Sequence, residues 1–307
     1  MDIFIQQIIN GLVLGSIYAL VALGYTMVYG IMGLINFAHG EVVMIGAMVA
    51  LTVIKLLANS GLPVFIIILL ALAAAAVVCM AVGFSIERIA YRPLRHAPKL
   101  APLITAIGVS IVLQNLSMLI WGRNYHAFPP ILPTSAHDVF GATITTLQVA
   151  IVLIATLMMA GLIVLIHRTR LGRAMRATSE NPSIAQLMGV NINQIISITF
   201  IIGSALAAVA GLMVSANYSI AHYYMGFMLG LKAFTAAVLG GIGNIAGAVL
   251  GGILLGLIES LGAGYIGDLT GGFLGSHYQD IFAFFVLIGV LIFRPSGLVG
   301  EKVSERA

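Results

Sequence analysis

The chain has 307 residues, of which 61% are hydrophobic and only 8% are charged, with a formal net charge of +4. Soluble domains carry about 25% charged residues, so this composition and a mean hydropathy of +1.11 exclude a water-soluble enzyme or binding domain and indicate an integral membrane protein. The small positive charge is explained by orientation in a membrane rather than by affinity for nucleic acid. The single Cys79 lies in an apolar run and is predicted to be a small core residue.

Long stretches without Asp, Glu, Lys or Arg follow one another along the chain, and most can hold a helix of about 20 residues, the length that crosses the hydrocarbon layer. The predicted spans are 3–28, 42–57, 63–86, 101–121, 147–167, 192–216 and 279–293. The apolar, glycine-rich region 232–264 is either one broken span or two short ones. The sequence therefore predicts a single all-α transmembrane domain over 1–307 with eight or nine spans.

Basic residues in the loops predict the orientation of these spans, because Lys and Arg concentrate on the cytoplasmic side. They form three groups, which are Arg88, Arg92, Arg95 and Lys99; Arg168, Arg170, Arg173 and Arg176; and Arg294, Lys302 and Arg306. The loops 122–146 and 262–278 have little or no excess of basic residues. We expect the three basic groups to face the cytoplasm and these two loops to lie outside.

Two apolar segments in opposite halves of the chain, 30–48 and 237–256, are interrupted by glycine and asparagine. Interrupted segments in corresponding positions are typical of transporters built from internal repeats, with the pathway at the repeat interface. Irregular backbone at membrane depth survives only where it is buried in protein or lines a wet cavity. The sequence thus predicts broken helices and an internal repeat.

The polar residues in these breaks are candidates for the translocation path: Asn36, His39, Glu41 and Asn244. Unpaired polar groups in lipid are costly. His39 and Glu41 either line or gate the path, or cap a helix at the cytoplasmic interface. Asn36 and Asn244 are expected to bond helix ends more often than a ligand.

Glycines in the second break are spaced by four residues, at Gly243, Gly247 and Gly251. Small residues at this spacing allow two membrane helices to approach closely. We expect packing to be their main role.

Two charges, Lys232 and Glu259, interrupt the last third of the chain. We expect both to lie at helix ends near the interface, because each adjoins a loop if there are eight spans. If Glu259 instead lay at mid-membrane, it would be the main candidate for an ion site.

The loop 168–191 contains a short helix with a stop signal at each end. Asn181 suits the N-cap, Pro182 the first turn and Gly189 the C-terminal cap, so the helix is predicted over 182–188. Its apolar side chains are Ile184, Ala185, Leu187 and Met188. This pattern fits a helix that rests on lipid headgroups, or one that docks into a groove of a soluble partner.

Four segments carry a resemblance to a known family, in the family's order and spread over about residues 10–297. They are INFAHGE, IERIAYRPLR, GRAMRATSENPSIAQLMGVN and KAFTAAVLGGIGNIAGAVLGG. These segments resemble the permease subunits of branched-chain amino-acid ABC importers, which lie in the bacterial cytoplasmic (inner) membrane.

The resemblance implies that the chain pairs with a second, related permease and is driven by two cytoplasmic ATPase subunits. An external binding protein would deliver Leu, Ile or Val. By the same resemblance, the loop 172–191 is the ATPase-coupling element and 182–188 its coupling helix. The coupling residues are then Gly172, Arg173, Arg176, Glu180, Asn181, Pro182, Ile184, Ala185, Leu187, Met188 and Gly189.

The chain lacks the motifs of an ATPase or another enzyme. No Gly-Lys pair occurs, so no Walker A loop can hold ATP phosphates, and no nucleophile–base pair is recognisable. The scattered histidines show no metal-ligand spacing, and no cofactor is expected. Alternatives are a urea or short-amide permease of the same family, an ion-coupled secondary amino-acid transporter, and a passive channel or scaffold.

Overall fold

The computed structural model describes residues 2–95, 97–98, 100–130, 135–139, 141–271, 279–294 and 296–300. Most of this part of the chain is α-helical. The helices are α1 (Asp2–Met32), α2 (His39–Leu57), α3 (Val64–Ser85), α4 (Leu100–Trp121), α5 (Thr146–Arg168), α6 (Arg170–Glu180), α7 (Pro182–Leu187), α8 (Ile192–Tyr218), α9 (Met225–Gly240), α10 (Ile245–Leu269) and α11 (Gln279–Phe293). Lys99, Lys302, Arg306 and residues 272–278 of the predicted outer loop 262–278 lie outside the described residues. The prediction of a loop is wrong for 262–269, which form the end of α10.

Seven of the described helices, α1 to α5, α8 and α10, are long and apolar enough to cross a membrane. Two shorter apolar helices, α9 and the segment Phe284–Phe293 of α11, accompany them. The chain is a multi-pass membrane protein with an all-α bundle. The region 232–264 belongs to two helices, α9 and α10, rather than to one broken span.

Helices α1, α2 and α8 form the centre of the bundle, and α3, α4 and α5 lie around it. In the most apolar 18-residue stretch of each helix, 67–78% of the residues are buried in the three central helices and 22–28% in the three outer helices. The outer helices expose Ile, Leu and Val side chains, which are compatible with lipid or a neighbouring membrane protein.

Small residues let α1 and α10 pack as antiparallel neighbours with their backbones in contact. A Cβ atom on Gly15 would lie 2.7 Å from Ile253 Cα, and one on Gly252 would lie 2.5 Å from Ala19 Cα. Dispersion contacts between the two backbones stabilise this helix pair, because there is no hydrophobic driving force between helices in lipid.

The bundle has two chemically distinct ends. At the first, which we call the basic end (residues 86–95 and 168–193), Arg95 bonds to Asn193 across the two basic segments. At the opposite end, short antiparallel strands close the loops, with β1 (His126–Ala127) paired to β4 (Ile220–Ala221) and β2 (Ala136–Val139) to β3 (Ala142–Thr145). The sequence analysis did not predict these strands, which are too short to show an alternating pattern.

Candidate functional site

The chain leaves α5 and enters α6 through a turn that requires glycine. Thr169 Oγ1 accepts a hydrogen bond from Gly172 N at 3.0 Å, and a Cβ atom on Gly172 would overlap the Ile166 carbonyl. Arg176 Nη1 donates to the same carbonyl at 2.5 Å. These contacts fix α6 on the end of α5.

Helix α7 begins and ends through local chemistry. Asn181 Oδ1 accepts from Ile184 N at 3.1 Å, and Pro182 follows in the first turn. Gly189 has a φ of +85°, which suits a helix C-terminus. The helix ends at Leu187, one residue earlier than predicted.

The apolar residues of α7 do not share one face. The exposed fractions are 58% for Ile184, 87% for Leu187 and 80% for Met188, whereas Ala185 is 3% exposed. The prediction that Ala185 offers apolar surface to a partner is wrong for the isolated chain, because Ala185 faces its own bundle. Arg173 and Glu180 on α6 are exposed.

A cavity of about 750 Å³ lies behind α7, between this helix and the end of α1. Its walls include Met32, Arg95, Thr178, Pro182, Gln186 and Asn193. Polar and apolar residues both line this cavity, so the inner side of α7 does not pack against a continuous apolar core.

Glu87 is the centre of an ion-pair network at the basic end, although its carboxylate is completely buried. It pairs with Arg95 and with Arg92, whose Nη2 lies 3.1 Å from Oε2. Ser197 Oγ donates to Oε2 at 2.7 Å, which ties the network to α8. Burial lowers the pKa of the Arg95 guanidinium, and the Glu87 carboxylate acts in the opposite direction.

Glu87 lies in a π-helical turn, Ile86–Tyr91, that continues α3. Sequence reasoning missed it because it was treated as part of a basic loop. The available signal was one acid among four basic residues in 87–99.

The break between α1 and α2, residues 33–38, is held by side chains rather than by helical hydrogen bonds. Asn36 Oδ1 accepts from Ala38 N and from Tyr91 Oη, both at 3.2 Å. Tyr91 Oη also lies 3.2 Å from the Ile35 carbonyl. Asn36 thus bonds a helix end, and its partner Tyr91 belongs to the turn that carries Glu87.

His39 is the first residue of α2 and is 2% exposed. Its Nε2 packs on Gly24, where a Cβ atom would overlap it. Tyr25 meets the imidazole edge to face, with ring centroids 5.0 Å apart. In the part of the chain that the structure describes, Nε2 has no hydrogen-bond partner.

Glu41 lies two residues further along, still in the first turn of α2, and is 1% exposed. Its Oε1 accepts hydrogen bonds from Gln114 Nε2 at 2.7 Å and Ser110 Oγ at 3.1 Å, both on α4. No side chain caps the start of α2. The alternative in which His39 and Glu41 cap a helix at the interface is therefore wrong, since both lie inside the bundle.

A family model described as branched-chain amino acid transport system / permease component matches residues 7–291. The chain belongs to this family. Over 99% of its length it is 49% identical to the high-affinity branched-chain amino acid transport system permease protein BraD of Pseudomonas aeruginosa, of which 98% is covered. It is 44% identical to LivH of Escherichia coli K12, covering 99% of the chain and 97% of LivH.

A more distant relative comes from an archaeon. The probable branched-chain amino acid transport permease protein LivH of Methanocaldococcus jannaschii is 30% identical over 97% of the chain and 94% of its own length. No solved structure matches the permease.

The second break of the permease is a turn between α9 and α10. Asn244 Oδ1 accepts from Gly247 N at 3.0 Å, and Asn244 Nδ2 donates to the Val299 carbonyl at 3.2 Å. Gly243 precedes α10 with a φ of +96°, so it does not belong to the helical stripe that the sequence analysis assigned to it. Asn244 bonds a helix end here.

Gly247 and Gly251 lie on α10 where it meets the end of α9. A Cβ atom on Gly247 would lie 2.5 Å from the Gly240 carbonyl oxygen, and one on Gly251 would overlap the Ala236 carbonyl. The end of α9 is also bonded by the segment 296–300, because Leu298 N donates to Leu239 O and Val299 N to Gly240 O, both at 3.0 Å.

Lys232 and Glu259 lie in the interiors of α9 and α10, and the expectation that they lie at helix ends near the interface is wrong. Lys232 Nζ lies 2.5 Å from Glu259 Oε1, and Tyr18 Oη donates to Oε2 at 2.9 Å. The side chain of Glu259 is 0% exposed. Burial in apolar surroundings is tolerated because the charge is paired and hydrogen-bonded.

No group of three or more His, Cys, Asp or Glu side chains that could hold a metal ion occurs among the residues the structure describes. Cys79 is buried, and its Sγ lies 3.3 Å from the Val42 carbonyl.

Proposed function

We propose that the permease is one membrane-spanning half of an ATP-driven importer for the branched-chain amino acids Leu, Ile and Val. One observation carries this proposal: Leu187, the last residue of α7, and Met188, the residue that follows it, are both more than three-quarters exposed. A helix of six residues is unstable alone in water. Two large apolar side chains on such a helix fit a groove on a soluble partner.

The partners follow from the family and from charge. The family description names a permease component of a transport system, and the basic end would face the cytoplasm of the inner membrane. There α7 would meet two ATPase subunits. A second, related permease would complete the path, and an external binding protein would deliver the amino acid at the opposite end.

The contacts offer a route from α7 to the bundle interior. Val190 N donates to Ala185 O at 3.0 Å, which closes the C-terminal turn of α7 two residues before the start of α8. That start is tied through Asn193 and Ser197 to the Glu87 network.

The route continues through the turn after Glu87. Tyr91 Oη bonds Asn36, three residues before His39. An ATPase that displaced α7 would thereby pull on the break before α2, where His39 and Glu41 lie.

The ion-coupled alternative needs an acidic group at membrane depth that is able to take up a cation. Glu259 was the main candidate from the sequence, but it is already paired with Lys232 and Tyr18. This pairing removes Glu259 from the candidates for an ion site.

The test is purification in mild detergent followed by reconstitution. We expect an ATP-binding subunit to co-purify, and leucine uptake into proteoliposomes to require ATP and to survive a proton uncoupler. Uptake that continues without ATP and stops with the uncoupler would refute the proposal. If the proteoliposomes take up urea or a short amide in place of leucine, the proposed substrate class is wrong and the proposal of ATP-driven import stands.

A further inference from the structure

One oxygen of the Glu41 carboxylate has no hydrogen-bond partner in the part of the chain that the structure describes. Oε1 accepts from Gln114 and Ser110, whereas Oε2 is fully buried and meets no hydrogen-bond partner among the described residues. The three ion pairs found in that part of the chain do not include Glu41. Its two bonds come from neutral donors, so no cationic side chain in the described residues pairs with Glu41.

Glu41 lies level with the interior of α4, a helix long and apolar enough to span a membrane, because its partners Ser110 and Gln114 are both well inside Leu100–Trp121. An ionised carboxylate at such a depth is costly unless it is paired, so one without an ion pair is a candidate functional group.

The first turn of α9 covers Oε2 with backbone rather than with side chains. A Cβ atom on Gly226 would lie 2.7 Å from Oε2, and one on Gly40 would lie 2.8 Å from Gly230 Cα. Glycine thus faces glycine at this crossing, which brings the two backbones into contact beside the Glu41 carboxylate.

A row of aromatic rings leads from the end opposite the basic end to this turn. We call Tyr125, His222, Tyr223, Tyr224 and Phe227 the aromatic row; successive ring centroids lie 4.2, 4.4, 6.2 and 5.6 Å apart. Tyr125, Tyr224 and Phe227 are 44–72% exposed.

The aromatic row ends beside Gly226. Aromatic faces attract both aliphatic side chains and ammonium groups, which are two of the three parts of an aliphatic amino acid.

We propose that the Glu41 carboxylate, held by Gln114 and Ser110, binds the primary ammonium group of a zwitterionic aliphatic amino acid on its way through the permease. The substrate reaches Oε2 along the aromatic row when the first turn of α9 moves away from α2. This inference rests on the proposed import function for its physiological setting, and it assigns a substrate group to one residue.

The first experiment uses the complete transporter, with ATPase subunits and binding protein, in liposomes. Glu41→Gln keeps the size of the side chain and removes the charge. We expect assembly and ATP hydrolysis to persist, and leucine uptake to fall about tenfold or more, which is the worth of one charge-assisted hydrogen bond. Uptake at the wild-type rate would overturn the assignment.

Asn115→Ala is the matched control on α4, next to Gln114. Asn115 is exposed and donates only to the Ile111 carbonyl of its own helix, at 2.8 Å. Uptake by this variant stays at the wild-type rate. If the wild-type permease assembles with no ATPase, the proposed function is wrong. The assignment of Glu41 as a binding residue is then tested by the second experiment.

The second experiment uses the unmodified permease alone in detergent, so a folding defect cannot obscure it. Dicyclohexylcarbodiimide modifies carboxyl groups in apolar surroundings, and peptide mass spectrometry reads the modification at Glu41. We expect 3-methylbutylamine, which has the ammonium group and the side chain of leucine without the carboxylate, to protect Glu41. The matched acid, 4-methylpentanoate, leaves Glu41 unprotected.

Equal protection by amine and acid, protection by neither, or no modification of Glu41 under any condition would each overturn the assignment. Protection of Glu87 or Glu259 to the same extent would also overturn it, since the amine would then be acting without regard to site.

Discussion

Lys232 and Glu259 form an ion pair inside an apolar bundle, with Nζ 2.5 Å from Oε1 and the second carboxylate oxygen bonded to Tyr18. The pair joins α9 to α10, and Tyr18 adds α1. The ion pair and Tyr18 thus help to fix the register of three helices.

The first prediction concerns this pair. Glu259→Gln removes one charge and leaves the Lys232 ammonium without its carboxylate, so we expect a loss of about 3 kcal/mol or more in stability. The double variant Lys232→Met/Glu259→Gln removes both charges and recovers part of that loss. Thermal unfolding in one detergent measures both, and a double variant no more stable than the single one contradicts the expectation.

The second prediction concerns the glycine contact between α10 and α9. Gly251→Ala adds a Cβ atom that overlaps the Ala236 carbonyl, and overpacking of this kind costs about 1–3 kcal/mol. We expect a lower unfolding temperature in detergent.

The matched control for Gly251 is Gly161→Ala in α5, where a Cβ atom meets nothing within 4 Å. In an open helical position alanine is favoured over glycine by about 1 kcal/mol, so this variant is unchanged or more stable. Equal destabilisation by the two substitutions would show that the backbone contact at Gly251 is unimportant.

The third prediction concerns docking by α7. Leu187 is 87% exposed, so Leu187→Glu leaves the fold of the permease intact. If a partner buries this side chain, the lost transfer free energy of about 1.5–3 kcal/mol weakens ATPase binding about tenfold or more.

Leu187→Met keeps an apolar side chain of similar size and is expected to bind the ATPase normally. Titration of the detergent-solubilised permease with ATPase subunits measures both affinities. Retention of full affinity by Leu187→Glu would mean that the helix rests on lipid headgroups. Ala185 is unsuited to this test because its side chain packs within the permease itself.

The fourth prediction concerns the Glu87 network. Glu87→Gln leaves Arg92 and Arg95 without their carboxylate, and breaking a buried pair in this way costs about 3 kcal/mol. We also expect ATP hydrolysis to persist with reduced leucine uptake, because the network links the start of α8 to the break before α2.

Arg88→Gln is the control for Glu87, since Arg88 is the exposed neighbour in the same turn and surface charges contribute about 1 kcal/mol or less. If the two variants have the same stability and the same ratio of uptake to hydrolysis, Glu87 has no special role.

Local chemistry explains what the sequence could predict. Charge-free stretches located the spans, and Asn181, Pro182 and Gly189 located α7 to within one residue, because capping depends on neighbours a few positions away. The start of α2 was placed at 42 rather than at His39, since polar residues were assumed to interrupt a membrane helix. In the structure, the polar residues His39 and Glu41 lie in the first turn of this membrane helix.

The rest could not be predicted because it depends on residues far apart in the chain. Glu41 and Gln114 are separated by 73 positions, Glu87 and Ser197 by 110, and Tyr18 and Glu259 by 241. A charged residue in an apolar stretch is assigned to a helix end when its ion-pair partner is unknown. Lys232 and Glu259 were misplaced for this reason.

The hydrogen bonds from Leu298 and Val299 to the last carbonyls of α9 make this helix mechanically asymmetric. Its C-terminal end is anchored, whereas Gly226 in its first turn meets the backbone of α2 at Gly40. A tilt of about 10° about the anchored end carries the first turn sideways by roughly 4 Å over a helix of 16 residues. That distance is comparable to the width of a methylammonium group, so a small pivot of one short helix is enough to uncover or conceal the carboxylate beneath it.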